Sequence, residues 1–135
     1  MERGYINIKD DECGHYTVEA KLVNGTLWLT EWEIARLFNT VTVSIRNSFR
    51  AIFNSGLLYE NKVTMELTSS KSSCKLYNLE ALIFVSFRVH SLEARAFREW
   101  VFKALSEYAK NDNKSKTNVI ITYSMDKKSS NFLYN

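Results

Sequence analysis

Two short amphipathic segments, TEWEIARLFN and TVSIRNSFRAIFNS, follow one another with a turn of about three residues between them. This spacing constrains the fold more than any other feature of the chain. Thr30 opens the first segment: its hydroxyl can cap the amide of Glu33 while the Glu33 carboxylate reaches back, and Ile34, Leu37 and Phe38 follow at helical intervals. Asn39 is placed to end that helix. From Thr42 a second helix carries Ile45, Phe49, Ile52 and Phe53 on one side and Arg46, Asn47 and Arg50 on the other, until Ser55-Gly56 stops it. The expected unit is a helix-turn-helix between Thr30 and Ser55.

A helix-turn-helix of the DNA-reading kind needs a small residue where the helices cross, a tight turn, and a buried branched residue that locks their angle. Ala35, Asn39 and Ile45 fall at these places. Asn39 stands where glycine often serves, and asparagine is the next best residue for left-handed backbone angles. With Ile34, Phe38 and Phe49 inward, Thr42, Val43, Arg46, Asn47 and Arg50 are left on the outer face of the second helix. Arginine bonds guanine in bidentate fashion, asparagine does the same to adenine, valine touches a thymine methyl, and threonine holds a phosphate. Arg46 and Asn47 are therefore candidates for base edges, and Thr42 and Arg50 for phosphates. The same pattern also suits an ordinary helical hairpin with a solvated outer face, and periodicity alone leaves both readings open.

The flanking sequence predicts a mixed α+β domain. YTVEAKLVNGTLWLT alternates apolar and polar residues about Asn24-Gly25, a type I′ turn signal, and reads as an N-terminal β-hairpin. Tyr5–Lys9 is a candidate third strand, interrupted by Asp10, Asp11 and Glu12. KVTMELT and CKLYNL, around the polar loop SSKSS, read as a short β-wing after the two helices. Asn78 can cap a third helix through LEALIFVSFRV, and Ser91 a fourth in which Leu92, Phe97, Trp100, Val101, Ala104, Leu105 and Tyr108 recur at three- and four-residue steps. These two C-terminal helices are expected to supply most of the core. Residues 1–110 then form one winged-helix-like domain. Residues 111–135 are a polar linker and tail, whose NVIITYSM could be a pairing strand.

Size and composition set the remaining bounds. A chain of 135 residues, 45% hydrophobic and 13% aromatic, has material for one core. No apolar run approaches the roughly 20 residues that cross a bilayer, and MERGYINIKDDE has no apolar stretch of signal-peptide kind, so a cytoplasmic protein without a membrane partner is expected. Cys13, Cys74, His15 and His90 form no metal-ligand spacing, and Cys13 with His15 lacks further ligands, so no metal or other cofactor is expected. No nucleophile-and-base grouping or glycine-rich phosphate loop is present, which argues against an enzyme. The net charge of +3 is too mild to indicate a nucleic-acid partner by itself.

The stretches LVNGTLWLTEWEIARLFNT, VSIRNSFRAIFNSGLL and LYNLEALIFVSFRVHSLEARAFREWVFKALSEY resemble the RhuM-type virulence protein family, over about Val18–Tyr108. The last of them, with its apolar helix followed by EARAFREWV, is also similar to the Bro-N domain of phage antirepressors. Both resemblances imply mobile-element proteins that bind DNA or regulate transcription. The chain departs from the first family at NTVTVSIRN, which lacks the glycine and fuller polar set usual there. It also lacks the longer C-terminal region that members usually carry, and so reads as a shortened copy.

Two further features bear on partners. Arg88, Arg95, Arg98 and Lys103 make one side of the fourth helix region basic and are candidate phosphate contacts, although Glu93, Glu99 and Glu107 offset them and i, i+4 pairs such as Glu99 with Lys103 would make that side a solvated face. Trp28 and Trp100 suit packing, and Trp32 is open between packing and exposure. The expected function is a DNA-binding regulator or antirepressor-like protein on double-stranded DNA, acting as a homo-oligomer because one recognition helix reads only a few base pairs. The competing expectation is a module that grips a protein partner, such as a repressor, without sequence-specific DNA binding.

Overall fold

The computed structural model describes residues 1–112, which fall in two compact units, Met1–Phe102 and the part of Lys103–Asn135 that is described. The tail expected after residue 110 therefore lies almost wholly outside the described residues. The fold is mixed α+β: an antiparallel β-hairpin, a run of helices, a small sheet and a long C-terminal helix.

The hairpin is built from β1 (Tyr5–Asp10) and β2 (Tyr16–Lys21). Its register pairs Ile6 with Ala20 and Ile8 with Val18, so one face is apolar. Ile6 is buried, and Ile8, Val18 and Ala20 pack against the core. The acidic stretch does not merely interrupt a strand. Asp11 Oδ1 accepts from the amides of Cys13 and His15, and Asp10 Oδ1 accepts from that of Glu12, so these carboxylates build the turn.

The turn at Asn24-Gly25 forms with positive φ at both residues, 55° and 80°, and Val23 and Thr26 exchange backbone hydrogen bonds across it. Its arms then part, which differs from the expected hairpin. β3 (Trp28–Leu29) pairs with β5 (Ser73–Asn78), setting Leu29 opposite Tyr77, and β5 also pairs with β4 (Thr64–Thr68). The resulting sheet has the order β3-β5-β4. A local turn signal specifies a reversal of the chain, but which strand finishes beside which is settled by the apolar faces that meet.

α1 (Glu31–Leu37) begins with the capping box: Glu33 N–H donates to Thr30 Oγ1 at 3.1 Å, and Thr30 N–H donates to Glu33 Oε1 at 2.8 Å. It ends on Asn39, whose φ is 54°, while the Asn39 amide bonds Arg36 O and the Thr40 amide bonds Ala35 O. This is the Schellman arrangement, with asparagine at the left-handed position. Asn39→Ala is expected to lower stability by about 1 kcal/mol, because a Cβ without a compensating amide is strained there, while Asn39→Gly should not lower it. Urea unfolding of the two variants checks this.

Arg3 clasps the start of α1 by donating to both Glu33 oxygens, at 2.9 and 3.2 Å. Burial pushes the Glu33 carboxyl up, but the hydrogen bonds from Arg3 and Thr30 outweigh burial and hold it below its ordinary value. A carboxyl whose pKa is depressed on folding stabilises the fold above the unfolded value, about 4.3, and that contribution is lost as pH falls through the lower folded value. Thermal melts from pH 6 down to pH 2.5 should therefore show a fall in Tm below about pH 4.3. That fall should be shallower in Glu33→Gln; equal slopes would show that the clasp is not the group responsible.

α2 (Thr42–Asn54) is followed by Gly56 at φ 80° and by the short α3 (Glu60–Val63). α4 (Leu79–Ser86) is capped by Asn78, whose Oδ1 accepts from the Ala81 amide, and α5 (Leu92–Asp112) by Ser91, whose Oγ accepts from the Ala94 amide. Both C-terminal helices form core, through Ala81, Leu82 and Val85 of α4 and Ala94 and Phe97 of α5. They do not dominate it: Ile34, Ala35 and Phe38 around α1, and Ile45, Phe49 and Ile52 of α2, are buried as completely. Of the stripe expected on α5, Phe97 is buried and Trp100 and Val101 pack against the core, whereas Leu92, Ala104, Leu105 and Tyr108 are exposed. A 3.6-residue apolar period marks a face suited to burial; it does not say that another element lies against it. Among the described residues no helix is long and apolar enough to cross a membrane.

Candidate nucleic-acid interface

The outer face of α2 follows from what its inner face buries. Ile45, Ser48, Phe49 and Ile52 turn into the core, and the 3.6-residue period then leaves Val43, Arg46, Asn47 and Arg50 exposed together at steps of three and four. Thr42 is half-buried at the first turn. Ala35, buried on α1, and Ile45, fully buried on α2, occupy the expected crossing positions, and the two helices pack against each other. Val43 is 59% exposed, an apolar side chain held out in water by its place on this face.

The start of α2 is chemically open. Its N-cap is Val41, which offers no side-chain acceptor, and the first turn holds no acidic residue. The helix dipole and the first amides at this end favour an anion such as a phosphate oxygen.

Beside α2 a cleft of about 460 Å³ opens towards α3 and β5, with Phe49, Phe53 and Tyr77 among its lining residues and Arg46, Arg50 and Lys75 supplying its cations. Phe49 and Tyr77 stack with ring centroids 4.0 Å apart and planes 6° apart. Two of the cations are partnered: Arg46 Nε lies 3.2 Å from Glu31 Oε1, and Lys75 Nζ lies 3.2 Å from Glu60 Oε2. Arg50 makes no ion pair or side-chain hydrogen bond among the described residues. The second Glu31 oxygen accepts from the Tyr77 hydroxyl at 3.0 Å. Burial first, and then the charge of Glu31, push the Tyr77 phenol well above its ordinary pKa, so it remains a protonated donor.

The structure brings Val43, Arg46, Asn47 and Arg50 to one face, with Thr42 at its edge. It does not gather the four basic residues expected near the fourth helix in the same way. Arg98 is half-buried instead of outward: its Nη1 donates to the carbonyls of Ser86 and Val89, closing the end of α4, and its guanidinium lies 5.7 Å from the Phe87 ring centre. Arg95 pairs with Glu99 at i, i+4, the partner that Lys103 had been expected to take. Arg88 is exposed, and Lys103 is exposed in the second unit. Trp28 is half-buried and Trp100 packs on the core; Trp32 is exposed beneath the Arg36 guanidinium, 4.7 Å from the ring centre. Cys13 and Cys74 are free and exposed, and among the described residues no three His, Cys, Asp or Glu side chains come together as a metal-holding group.

Sequence reasoning missed Glu31, Glu60, Lys75 and Tyr77. Glu31 carried a faint signal as an acidic residue in a first helical turn, which the helix dipole explains without any site. Tyr77 carried none, because its hydroxyl meets a carboxylate 46 residues away in sequence. No protein-family profile, curated protein or solved structure matches the chain.

Proposed function

We propose that the chain is a duplex-DNA-binding regulator whose α2 enters the major groove. The observation that carries this is the single exposed face of Val43, Arg46, Asn47 and Arg50 on a helix that follows α1 through a tight Schellman turn. Arg46 and Asn47 take base edges, Val43 a thymine methyl, and Thr42 with Arg50 the flanking phosphates. The uncapped start of α2 supports the phosphate assignment of Thr42. The resemblance to RhuM-type and Bro-N proteins supports a regulatory or antirepressor-like role in a mobile-element setting. Binding as a homodimer supplies the second half-site, and the protein works in the cytoplasm, where it meets DNA. It acts by binding, without catalysis or cofactor.

Fluorescence anisotropy with duplex DNA at low and moderate salt tests the reading. Binding that weakens with salt and is lost in Arg46→Ala with Arg50→Ala supports it; no binding at low salt overturns it.

One observation favours a second reading. Leu105 and Tyr108 stand 57% and 69% exposed on the second unit, apolar surface of the sort that protein partners cover. In that case α5 holds a protein such as a repressor, and capture of that partner should survive nuclease treatment.

A further inference from the structure

We infer that Glu31, itself held by the Tyr77 hydroxyl, is a positioning residue that aims Arg46 at a base edge. The inference rests on the DNA-binding reading above and adds to it the residues that set its specificity. Arginine on an exposed helix face is a long, mobile side chain that loses rotamer entropy when it is fixed, and an unguided one finds phosphate as readily as base. Arg46 is guided on one edge only. Its Nε donates to Glu31 Oε1, and among the described residues neither terminal nitrogen bonds anything. The two-pronged end that fits guanine O6 and N7 is therefore left free.

The holding group is itself held. Glu31 Oε2 accepts from Tyr77, which is 4% exposed and stacked on Phe49, a fully buried residue of the same α2 that carries Arg46. The chain Tyr77–Glu31–Arg46 thus ties β5, α1 and α2 to the aim of one guanidinium. Glu31 also places a negative charge beside a surface that meets phosphates, which weakens sequence-independent attraction. A carboxylate so placed lowers non-specific affinity while raising discrimination.

These two effects separate in experiment. Duplexes enriched by wild type from a random pool identify the base pair read by Arg46, as the position whose discrimination collapses in Arg46→Ala. Discrimination there is the ratio of Kd for the substituted duplex to Kd for the enriched one. Tyr77→Phe keeps the ring and its stack and removes only the hydroxyl; Glu31→Gln removes the charge. Both should reduce discrimination at that base pair by at least about fivefold, with other positions unchanged, and Tyr77→Phe should have no further effect on an Arg46→Ala background. Glu60→Gln, which frees Lys75 in the same cleft, should change overall affinity without changing this ratio.

Unchanged discrimination in Tyr77→Phe and Glu31→Gln, with affinity for all duplexes raised in the latter, would overturn the inference and leave Glu31 as a charge only. If wild type enriches no motif, the base-reading proposal itself fails. The Arg46 Nε–Hε resonance then judges the buttress alone: a distinct, slowly exchanging signal lost in both variants upholds the geometry, and a signal indifferent to them overturns it.

Discussion

Phe38→Ala is expected to cost about 3–5 kcal/mol of unfolding free energy, the range for removing a fully buried aromatic side chain. Phe38 is completely buried at the C-terminal end of α1, and its ring meets that of Phe97 on α5 with centroids 5.5 Å apart. Truncation removes that aromatic pair and leaves a void at the point where the helix-turn-helix is joined to the C-terminal half of the first unit. Ile34, Ile45 and Phe97 are likewise sealed from solvent, so little water can enter to relieve the gap. Since domains of this size are stable by roughly 5–15 kcal/mol, the variant should be marginal at 37 °C. Urea unfolding monitored by circular dichroism measures the loss; a cost under about 1 kcal/mol would mean that this core does not join the two halves as described.

Arg46→Ala with Arg50→Ala is expected to have the largest effect on DNA binding, through two different terms. If the proposed reading holds, Arg46 as a base contact should contribute discrimination of about 1–3 kcal/mol at one base pair. On the same reading Arg50, as a phosphate contact, should contribute to all sequences alike, and its removal should lower the slope of log K against log salt by about 0.9. Truncating Arg46 also leaves Glu31 without its cation on the proposed reading face, so the measured loss should exceed the worth of the base contact alone. Anisotropy titrations of the single and double variants at several salt concentrations separate these terms. Arg46→Ala should change the preference among duplexes, whereas Arg50→Ala should change the salt slope and leave preference intact. A double variant that binds like wild type would remove α2 as the reading element.

The parts of the fold legible in advance share one property: their causes lie within about four residues. Thr30 with Glu33, Asn39, Gly56, Asn78 and Ser91 mark the helix ends by hydrogen bonds or backbone angles that a short peptide already contains. The exposed set on α2 was legible for the same reason, because the positions of Ile45, Phe49 and Ile52 leave the opposite side no choice. The candidate site was therefore visible as a row of side chains, but not as a constellation. Nothing local shows that Arg46 meets Glu31, that Lys75 meets Glu60, or that a tyrosine from β5 donates to Glu31.

The helix-turn-helix thus stands as something the sequence determined by itself: two helices, their ends, the left-handed turn residue and the face turned outward are all consequences of short-range bonding and a 3.6-residue period. Tertiary structure alone decided the partner of each exposed or apolar group. It set Leu29 beside Tyr77 where the Asn24-Gly25 turn had suggested a different strand, and drew Arg98 inward onto the Ser86 and Val89 carbonyls. Among the described residues it left Leu105 and Tyr108 exposed on an apolar stripe. Periodicity records which side of an element is apolar, whereas what lies against that side depends on contacts between residues far apart in the chain, which no local pattern contains.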